Sequence, residues 1–195
     1  MKESREVLKA RILDGAAALF KEKGIEKVTT RELTERLSIS RSHIYYYFSD
    51  WQTLCIEALR RFMQQDLDQF IADTDNLPPA KKLSVLIENY LPGTPGTPDA
   101  VWQLYGSLWQ LAGQEAIYAE LVDTFIQKWG DFNAAIINEG IAEGAFRQVD
   151  TVRVVRQLSA MLNGYADHLI IYPSEEKYRE AVDDVQAFID FTLNV

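Results

Sequence analysis

The stretch LSISRSHIYYYF, Leu37 to Phe48, carries a dense set of polar and aromatic side chains. Its serines, arginine, histidine and three consecutive tyrosines surround only a few aliphatic residues. Ile44 and Phe48 stand four residues apart, which places them on one face of a helix and predicts that both point inward. The spacing therefore predicts a short helix over about 41–47, with an apolar inner face and a polar outer surface.

A second short helix is predicted immediately before this one. In the sequence TTRE, Thr29 can cap a helix and Glu32 can return a bond to the cap, so the helix begins near Thr30. The segment 38–40 interrupts it, and Ser40 can cap the next helix. Two short helices joined by such a turn, the second of them polar, are typical of a helix-turn-helix.

The remaining chain also has the hydrophobic spacing of helices, without the alternation typical of strands. A first helix carries apolar residues from Leu8 to Phe20 and stops at Gly24. A long fourth helix is predicted to follow a cap at Ser49 or Asp50. The later helices are expected at about 80–90, 100–111, 115–143, 151–172 and 175–193, with a loop rich in proline and glycine at 91–99. Asp150 is predicted to cap the helix at 151–172.

This pattern predicts an all-α fold of about nine helices. An N-terminal three-helix domain with the helix-turn-helix is expected over 1–50, and a C-terminal helical domain for ligand binding and dimerisation over 51–195. The 195 residues, 47% of them hydrophobic, are enough for one or two domains. Because the sequence has neither a run of eighteen apolar residues nor a secretory signal, we expect a cytoplasmic protein with no membrane partner.

The residue types argue against an enzyme. A single cysteine, Cys55, excludes an internal disulfide, and the two histidines, His43 and His168, are too few for a zinc site or a Cys/His catalytic pair. We therefore expect no metal, no cofactor and no catalytic residues.

The charge distribution favours a nucleic-acid partner for the N-terminal end alone. The net charge of the whole chain is −9. Residues 1–52 hold ten Lys and Arg against eight Asp and Glu, whereas residues 53–195 hold ten against twenty-one. The end that contains the predicted helix-turn-helix is therefore the positive one.

The outer surface of the predicted third helix has the chemical groups that read DNA. Arg41 can donate to guanine O6 and N7, and Ser42 and His43 can contact base edges. The tyrosine hydroxyls can donate to phosphate oxygens. The alternative is that these tyrosines are partly buried packing residues; the helix-turn-helix pattern and the charge distribution favour DNA binding.

Two segments, ALFKEKGIEKVTTREL at 18–33 and LSISRSHIYYYFSDWQTL at 37–54, carry a resemblance to a known family. Through them, residues 8–54 resemble the DNA-binding domain of the TetR (tetracycline-repressor) family of bacterial transcription regulators. The resemblance implies that the residues facing DNA are Thr30, Arg31, Ser40, Arg41, Ser42, His43, Tyr45, Tyr46 and Tyr47.

The chain departs from the family pattern at two positions. Ser38 stands where the family usually has glycine in the turn, and Trp51 stands where it usually has a phosphate-binding lysine. Two outcomes are then open: phosphate binding relies on the N-terminus of the fourth helix and on Tyr47, or the affinity for DNA is lower.

The last two predicted helices have the apolar spacing of helix-bundle seams. Steps of three and four residues connect the members of each seam. Together with the family resemblance, this predicts a homodimer held by a four-helix bundle, which would present two recognition helices to a palindromic operator. The residues assigned to the dimer contact are Val155, Leu158, Leu162, Tyr165, Leu169, Val182, Val185 and Ile189.

The middle of the chain is rich in aromatic residues. Apolar walls with a few polar groups are what a small-molecule pocket needs, although each aromatic residue could equally belong to the core. The segments AVWQLYGSLW, NEGIAEGAF and NGYADHLIIYP are also similar to the C-terminal domain of the choline-betaine regulators of the TetR family. The residues assigned to ligand binding are Phe62, Trp102, Tyr105, Trp109, Phe125, Trp129, Asn133, Asp167 and His168, where the aromatics and Asp167 could hold a cation.

The predicted function is a dimeric DNA-binding transcription regulator, most often a repressor in this family, which a small-molecule effector releases from its operator. The effector must bind the DNA-free state more tightly to act in this way. Two alternatives remain at this point. One is a DNA-binding regulator with no ligand, and the other is a helical enzyme or carrier, for which the sequence offers no paired catalytic residues.

Overall fold

The computed structural model describes residues 4–92 and 100–194. Within these ranges the chain forms nine α-helices and no strand, which confirms the all-α prediction. No helix in the described part of the chain is long and apolar enough to cross a membrane. The helices are α1 Arg5–Lys23, α2 Thr30–Leu37, α3 Arg41–Tyr47, α4 Trp51–Thr74, α5 Pro79–Tyr90, α6 Ala100–Ala112, α7 Ala116–Ala142, α8 Thr151–Ile171 and α9 Glu175–Leu193.

Local hydrogen bonds account for where several helices begin and end. The Thr29 side chain accepts from the Glu32 N–H and the Glu32 carboxylate accepts from the Thr29 N–H, so the predicted capping box of α2 is confirmed. Asp150 caps α8 as predicted, since its carboxylate accepts from the Arg153 N–H at 3.1 Å. Gly24, with a φ of 86°, ends α1 in a conformation that few other residues adopt.

One short helix was not predicted, and one predicted loop cannot be compared with the structure. A short 3₁₀ helix, Ile25–Lys27, follows Gly24 and was not predicted. Most of the loop predicted at 91–99 falls outside the described residues.

The chain divides into two compact units. The first comprises Met1–Gln69 and Ala100–Phe125, and the second comprises Phe70–Asp99 and Ile126–Val195. Helices α4 and α7 therefore contribute to both. The predicted functional division at residue 50 is a different boundary, and it stays a prediction.

Each unit has its own hydrophobic core. In the first, the inner faces of α1 to α4 pack with α6 and the start of α7, around fully buried residues such as Phe20, Leu33 and Leu108. In the second, α5, α8 and α9 pack with the end of α4 and the larger part of α7, around residues such as Leu83 and Val185. Helices α1 to α3, which include the helix-turn-helix, thus share one core with α6.

The turn between α2 and α3 depends on a left-handed residue. Ser38 has φ 53° and ψ 44°, and it is the only residue other than glycine with a positive φ in the described ranges. This conformation costs an L-residue about 1 to 2 kcal/mol because its Cβ approaches the following carbonyl. The family that the sequence resembles usually has glycine at this position, and glycine adopts a left-handed conformation without this cost. In this chain serine adopts the same conformation.

Replacing Ser38 with glycine is expected to raise the free energy of unfolding by about 0.5 to 1 kcal/mol, since relief of the left-handed strain exceeds the entropy that glycine loses on folding. Ser38→Val is expected to lower it, because a branched Cβ makes the same conformation more costly. Urea unfolding followed by circular dichroism measures both changes. A glycine variant that is less stable than the native chain would contradict the left-handed assignment.

Candidate DNA-binding surface and aromatic cluster

Helix α3 buries the two side chains predicted to point inward and exposes most of those predicted to contact DNA. Ile44 is 0% exposed and Phe48 is 1% exposed, and both belong to the core of the first unit. Tyr45 and Tyr46 are 47% and 60% exposed. The exposed polar residues at the start of this surface are Ser40, Arg41, Ser42 and His43.

A small hydrogen-bond network lies at the N-terminus of α3. The Ser40 hydroxyl bonds to Ser42 Oγ and to His43 Nδ1, each at 2.7 Å. Ser40 precedes α3 as predicted, but its hydroxyl makes no bond to the helix backbone. The bond through Nδ1 orients the His43 ring and leaves Nε2 for a base edge or a phosphate.

The two arginines predicted to face DNA have different environments. Arg31 Nε donates to Glu35 Oε1 at 2.7 Å, and both side chains are more than half exposed. An exposed ion pair of this kind is weak, so a phosphate can take the place of Glu35. Arg41 has no carboxylate partner in the described part of the chain, so its guanidinium is available for a base or a phosphate.

Two members of the predicted DNA-facing set are less accessible. Tyr47 is half buried, and its ring lies 5.0 Å from that of Tyr46 and 6.3 Å from that of Phe48. It therefore also serves as a packing residue, as the alternative interpretation allowed. Thr30 is only 9% exposed at the start of α2, and this burial leaves its side chain little surface for DNA.

The N-terminus of α4 is already occupied by an anion of the chain itself. The Asp50 carboxylate accepts the Thr53 N–H at 2.7 Å, which lowers the pKa of Asp50. Trp51 is half buried and packs edge-on against Phe20, with ring centroids 6.5 Å apart. The ionised Asp50 would repel a second anion, so it disfavours phosphate binding at this helix end, which stays a prediction.

An aromatic cluster, defined as Phe62, Trp102, Tyr105, Trp109 and Phe125, lies within the first unit. Tyr105 is its centre, and Trp109 is the most accessible member at 38% exposed. The five residues come from α4, α6 and the start of α7, so the structure brings together this part of the predicted ligand set. The Tyr105 ring centroid lies 6.1 Å from that of Phe62, 6.1 Å from Trp102, 5.6 Å from Trp109 and 5.9 Å from Phe125.

A carboxylate that the sequence analysis did not single out lies beside this cluster. The Tyr105 hydroxyl donates to Asp66 Oδ2 at 3.0 Å. Burial raises the pKa of Asp66, while the bond from Tyr105 and the nearby charge of Lys21 lower it. The available sequence signal was its position four residues after Phe62, on the same face of α4.

The other four predicted ligand residues belong to the second unit. Trp129 packs with Phe70 and Phe132. Asn133 is buried, and its Oδ1 has no hydrogen-bond partner among the residues that the structure describes. Asp167 is exposed. Burial of Tyr90, and to a smaller extent the negative charge of Asp167, raise the pKa of Tyr90 to about 12.

His168 is placed separately from these three. It lines an open groove of about 460 Å³ formed by the end of α8 and the start of α9. Within the two units, contacts therefore unite only the five aromatic residues of the first unit, and a single site for all nine residues stays a prediction.

The antiparallel pair α8 and α9 corrects the assignment of the dimer contact. Six of the assigned residues are less than 9% exposed because they fill the core of the second unit. Their three- and four-residue spacing serves packing within one chain, so their side chains are not available to a partner. These six are Val155, Leu158, Leu162, Leu169, Val185 and Ile189.

Other residues of the pair remain accessible. Tyr165 and Val182, the other two assigned residues, are half buried, and the Tyr165 hydroxyl donates to Asp184. Large apolar side chains are exposed at both ends of the pair: Val152 and Phe191 at one end, and Ile170, Ile171 and Tyr172 at the other.

Comparison with known families identifies the chain. Residues 12–58 match the family of bacterial regulatory proteins called tetR, and residues 79–194 match the C-terminal domain of BetI-type transcriptional repressors. The chain belongs to the TetR family. Both parts of the resemblance seen in the sequence are thereby confirmed, and this protein is a TetR-family transcription regulator. The members of this family are DNA-binding regulators and not enzymes.

Individual relatives agree with this assignment. The chain is 24% identical over 184 residues to the HTH-type transcriptional regulator YfiR of Bacillus subtilis, covering 90% of this chain and 86% of YfiR. A transcriptional regulator from Saccharomonospora viridis, solved in complex with choline, has a TM-score of 0.80 and 23% identity, covering 96% and 98% of the two chains. A TetR regulator from Haloarcula marismortui has a TM-score of 0.80 and 19% identity, covering 95% and 98%.

The recognition surface of this TetR-family regulator can be tested at Arg41. We expect Arg41→Ala to lose about 1 to 3 kcal/mol of binding free energy and to relax sequence preference at one base pair per half-site. Arg31→Ala should instead weaken binding to all sequences alike, since its partner would be a phosphate.

Lys81→Ala, at an exposed position of α5, is the control for loss of one positive charge. Fluorescence anisotropy with a selected operator and single-base variants measures each protein. Unchanged affinity and unchanged preference in Arg41→Ala would contradict the role given to this surface.

Proposed function

We propose that this TetR-family regulator is a dimeric repressor in the cytoplasm, which a small organic cation releases from a palindromic operator. The observation that carries the proposal is the position of Asp66, a partly buried carboxylate that accepts a hydrogen bond from Tyr105 of the aromatic cluster. The helices of this cluster share a core with the proposed DNA-binding helices.

The exposed surface of α3 supports the DNA-binding part. It combines Arg41, which has no carboxylate partner among the described residues, with hydroxyl and imidazole groups that suit base edges. Two exposed tyrosines on the same surface suit phosphates. Ion pairs with carboxylates occupy several other basic residues of the first unit, among them Lys23 with Glu32 at 2.6 Å. We therefore assign recognition of the DNA base sequence to α3, with Arg41 as the main residue that contacts a base.

The aromatic cluster supports an effector that is a cation. Aromatic faces attract cations electrostatically, most strongly where water is excluded. A carboxylate beside them supplies the opposite charge, and burial makes its charged form costly unless a cation is near. The choline bound by the structural relative from Saccharomonospora viridis is a small cation of this kind.

The structure of the first unit also offers a route from the cluster to the DNA-binding helices. Helix α6, which carries Tyr105, packs against α1. The Ile25 N–H donates to Ser107 Oγ at 3.2 Å, so α6 also holds the segment that leads into α2. A shift of α6 on effector binding would therefore displace α1 and the segment at Ile25, and both of these lead into α2 and α3.

We assign dimer formation to the exposed side chains of α8 and α9. Large apolar residues at both ends of this pair are accessible, whereas its buried seam is satisfied within the chain. A dimer with two-fold symmetry has two α3 helices, and this symmetry matches that of a palindromic site.

Phe191 tests this assignment, because it is 83% exposed and contributes little to the core of one chain. We expect the native chain to sediment as a dimer at micromolar concentration and Phe191→Glu to sediment as a folded monomer, since a charge would be buried at the contact. Ala80→Glu adds the same charge at an exposed position of α5 and should remain a dimer. A native monomer, or a dimer that survives Phe191→Glu, would contradict the assignment.

Operator release tests the effector part. A binding site is first selected from random duplex DNA with the purified protein, and we expect a palindrome. Saturating choline, the probe cation, should weaken operator binding by about 5- to 150-fold, the usual range of allosteric coupling. Its neutral carbon isostere, 3,3-dimethylbutanol, should have no such effect. Asp66→Asn should lose most of the response, because the substitution removes the charge but keeps the shape.

The DNA-binding and effector measurements together distinguish a ligand-responsive repressor from a regulator without a ligand. Selective DNA binding that neither choline nor a library of metabolites changes would contradict the effector, and the protein would then be a regulator without a ligand. Failure to select any DNA sequence would contradict the assignment of α3.

A further inference from the structure

The aromatic cluster already has a positive charge beside it, and the chain itself supplies it. The Nζ atom of Lys21 lies 5.2 Å from the centroid of the Phe62 ring, which is within cation–π distance. Lys21 stands in the last turn of α1, three residues before Gly24. Its half-buried side chain therefore links the end of a DNA-binding helix to the proposed effector site.

The charge of the Lys21 ammonium also acts on the carboxylate of Asp66. Burial raises the pKa of Asp66, and the charge of Lys21 acts in the opposite direction, with the hydrogen bond from Tyr105. Among the described residues, no basic group lies within ion-pair distance of this carboxylate, so Lys21 acts on it through space. Lys21 thus sits near both elements that attract a cation, the Phe62 face and the Asp66 charge.

We infer that the Lys21 ammonium is an internal ligand of this cation site and that the effector, a small quaternary or alkylated ammonium ion, binds by displacing it. The inference rests on the proposed effector function of the aromatic cluster and names how that site works. Two cations cannot share the Phe62 face and the Asp66 charge without strong repulsion at low dielectric. Binding of the effector and docking of Lys21 are therefore mutually exclusive.

Displacement has a direct structural consequence. Lys21 is followed by Gly24, the Ile25–Lys27 turn and the Thr29 cap of α2. Releasing the ammonium removes one contact that holds the last turn of α1 against α4. The segment between α1 and the helix-turn-helix then loses this support when the effector is bound, which links occupancy of the site to the position of α2.

Chemical labelling of the native protein tests displacement. The full chain is acetylated for short times with an N-hydroxysuccinimide ester, and tandem mass spectrometry follows Lys21 and the exposed Lys27. We expect choline, the probe, to speed acetylation of Lys21 several-fold, with a midpoint equal to its dissociation constant from tryptophan fluorescence. The rate at Lys27 should not change. A Lys21 rate that stays constant or falls at saturating choline would overturn the inference.

A matched pair of variants tests competition. Lys21→Met keeps the apolar stem and removes the ammonium, and Lys27→Met removes the same charge from an exposed lysine. We expect Lys21→Met to bind choline about tenfold more tightly than the native protein, while Lys27→Met binds as the native protein does. Affinity for 3,3-dimethylbutanol should be the same in all three. Equal choline affinity in the two variants would overturn the inference.

These measurements need no DNA, so their failure differs from failure of the proposed function. If neither choline nor tetramethylammonium binds any of the three proteins, the cation site is wrong, even where another metabolite still releases the operator. If both cations bind and release the operator while the labelling of Lys21 is constant, the effector function stands and the displacement is overturned.

Discussion

The proposed DNA-binding surface of α3 depends on the burial of two side chains. Helix α3 has only seven residues, and a helix this short does not persist alone in water. Ile44 and Phe48 bury their side chains in the first core, and each contributes about 1.5 to 3 kcal/mol. Their positions fix the rotation of α3, so Arg41, His43 and the exposed tyrosines face outward together. Recognition chemistry is thus a result of packing on the opposite face.

The same core includes α6, which connects the proposed effector site to the segment that leads into the helix-turn-helix. Helix α6 presents Tyr105 to the aromatic cluster and Ser107 to the Ile25 N–H, from positions only two residues apart. One helix therefore contacts both the proposed effector site and the segment that enters the helix-turn-helix. A regulator needs a physical connection between its two ligands, and here the connection lies within one compact unit.

Much of the fold could be predicted because its signals are local. The α2 capping box, the Asp150 cap and the apolar residues Ile44 and Phe48 act within four residues of their partners, so spacing alone identifies them. Six of the eight residues predicted to form the dimer contact instead fill the core of one chain, because an intrachain core and an interface between chains use the same three- and four-residue spacing. Only the packing of α8 against α9 showed that Leu158 and Val185 are already buried.

The sequence by itself determined the helices, the helix-turn-helix and the family, because caps, turns and periodicity act between near neighbours. Tertiary structure alone decided which polar groups meet. Asp66 and Tyr105 are 39 residues apart, and Ile25 and Ser107 are 82 apart. Such pairs depend on which face of one helix meets another, and the apolar pattern leaves that choice open. For the same reason the sequence did not reveal that Lys21 lies over Phe62, next to the charge that a cationic effector would seek.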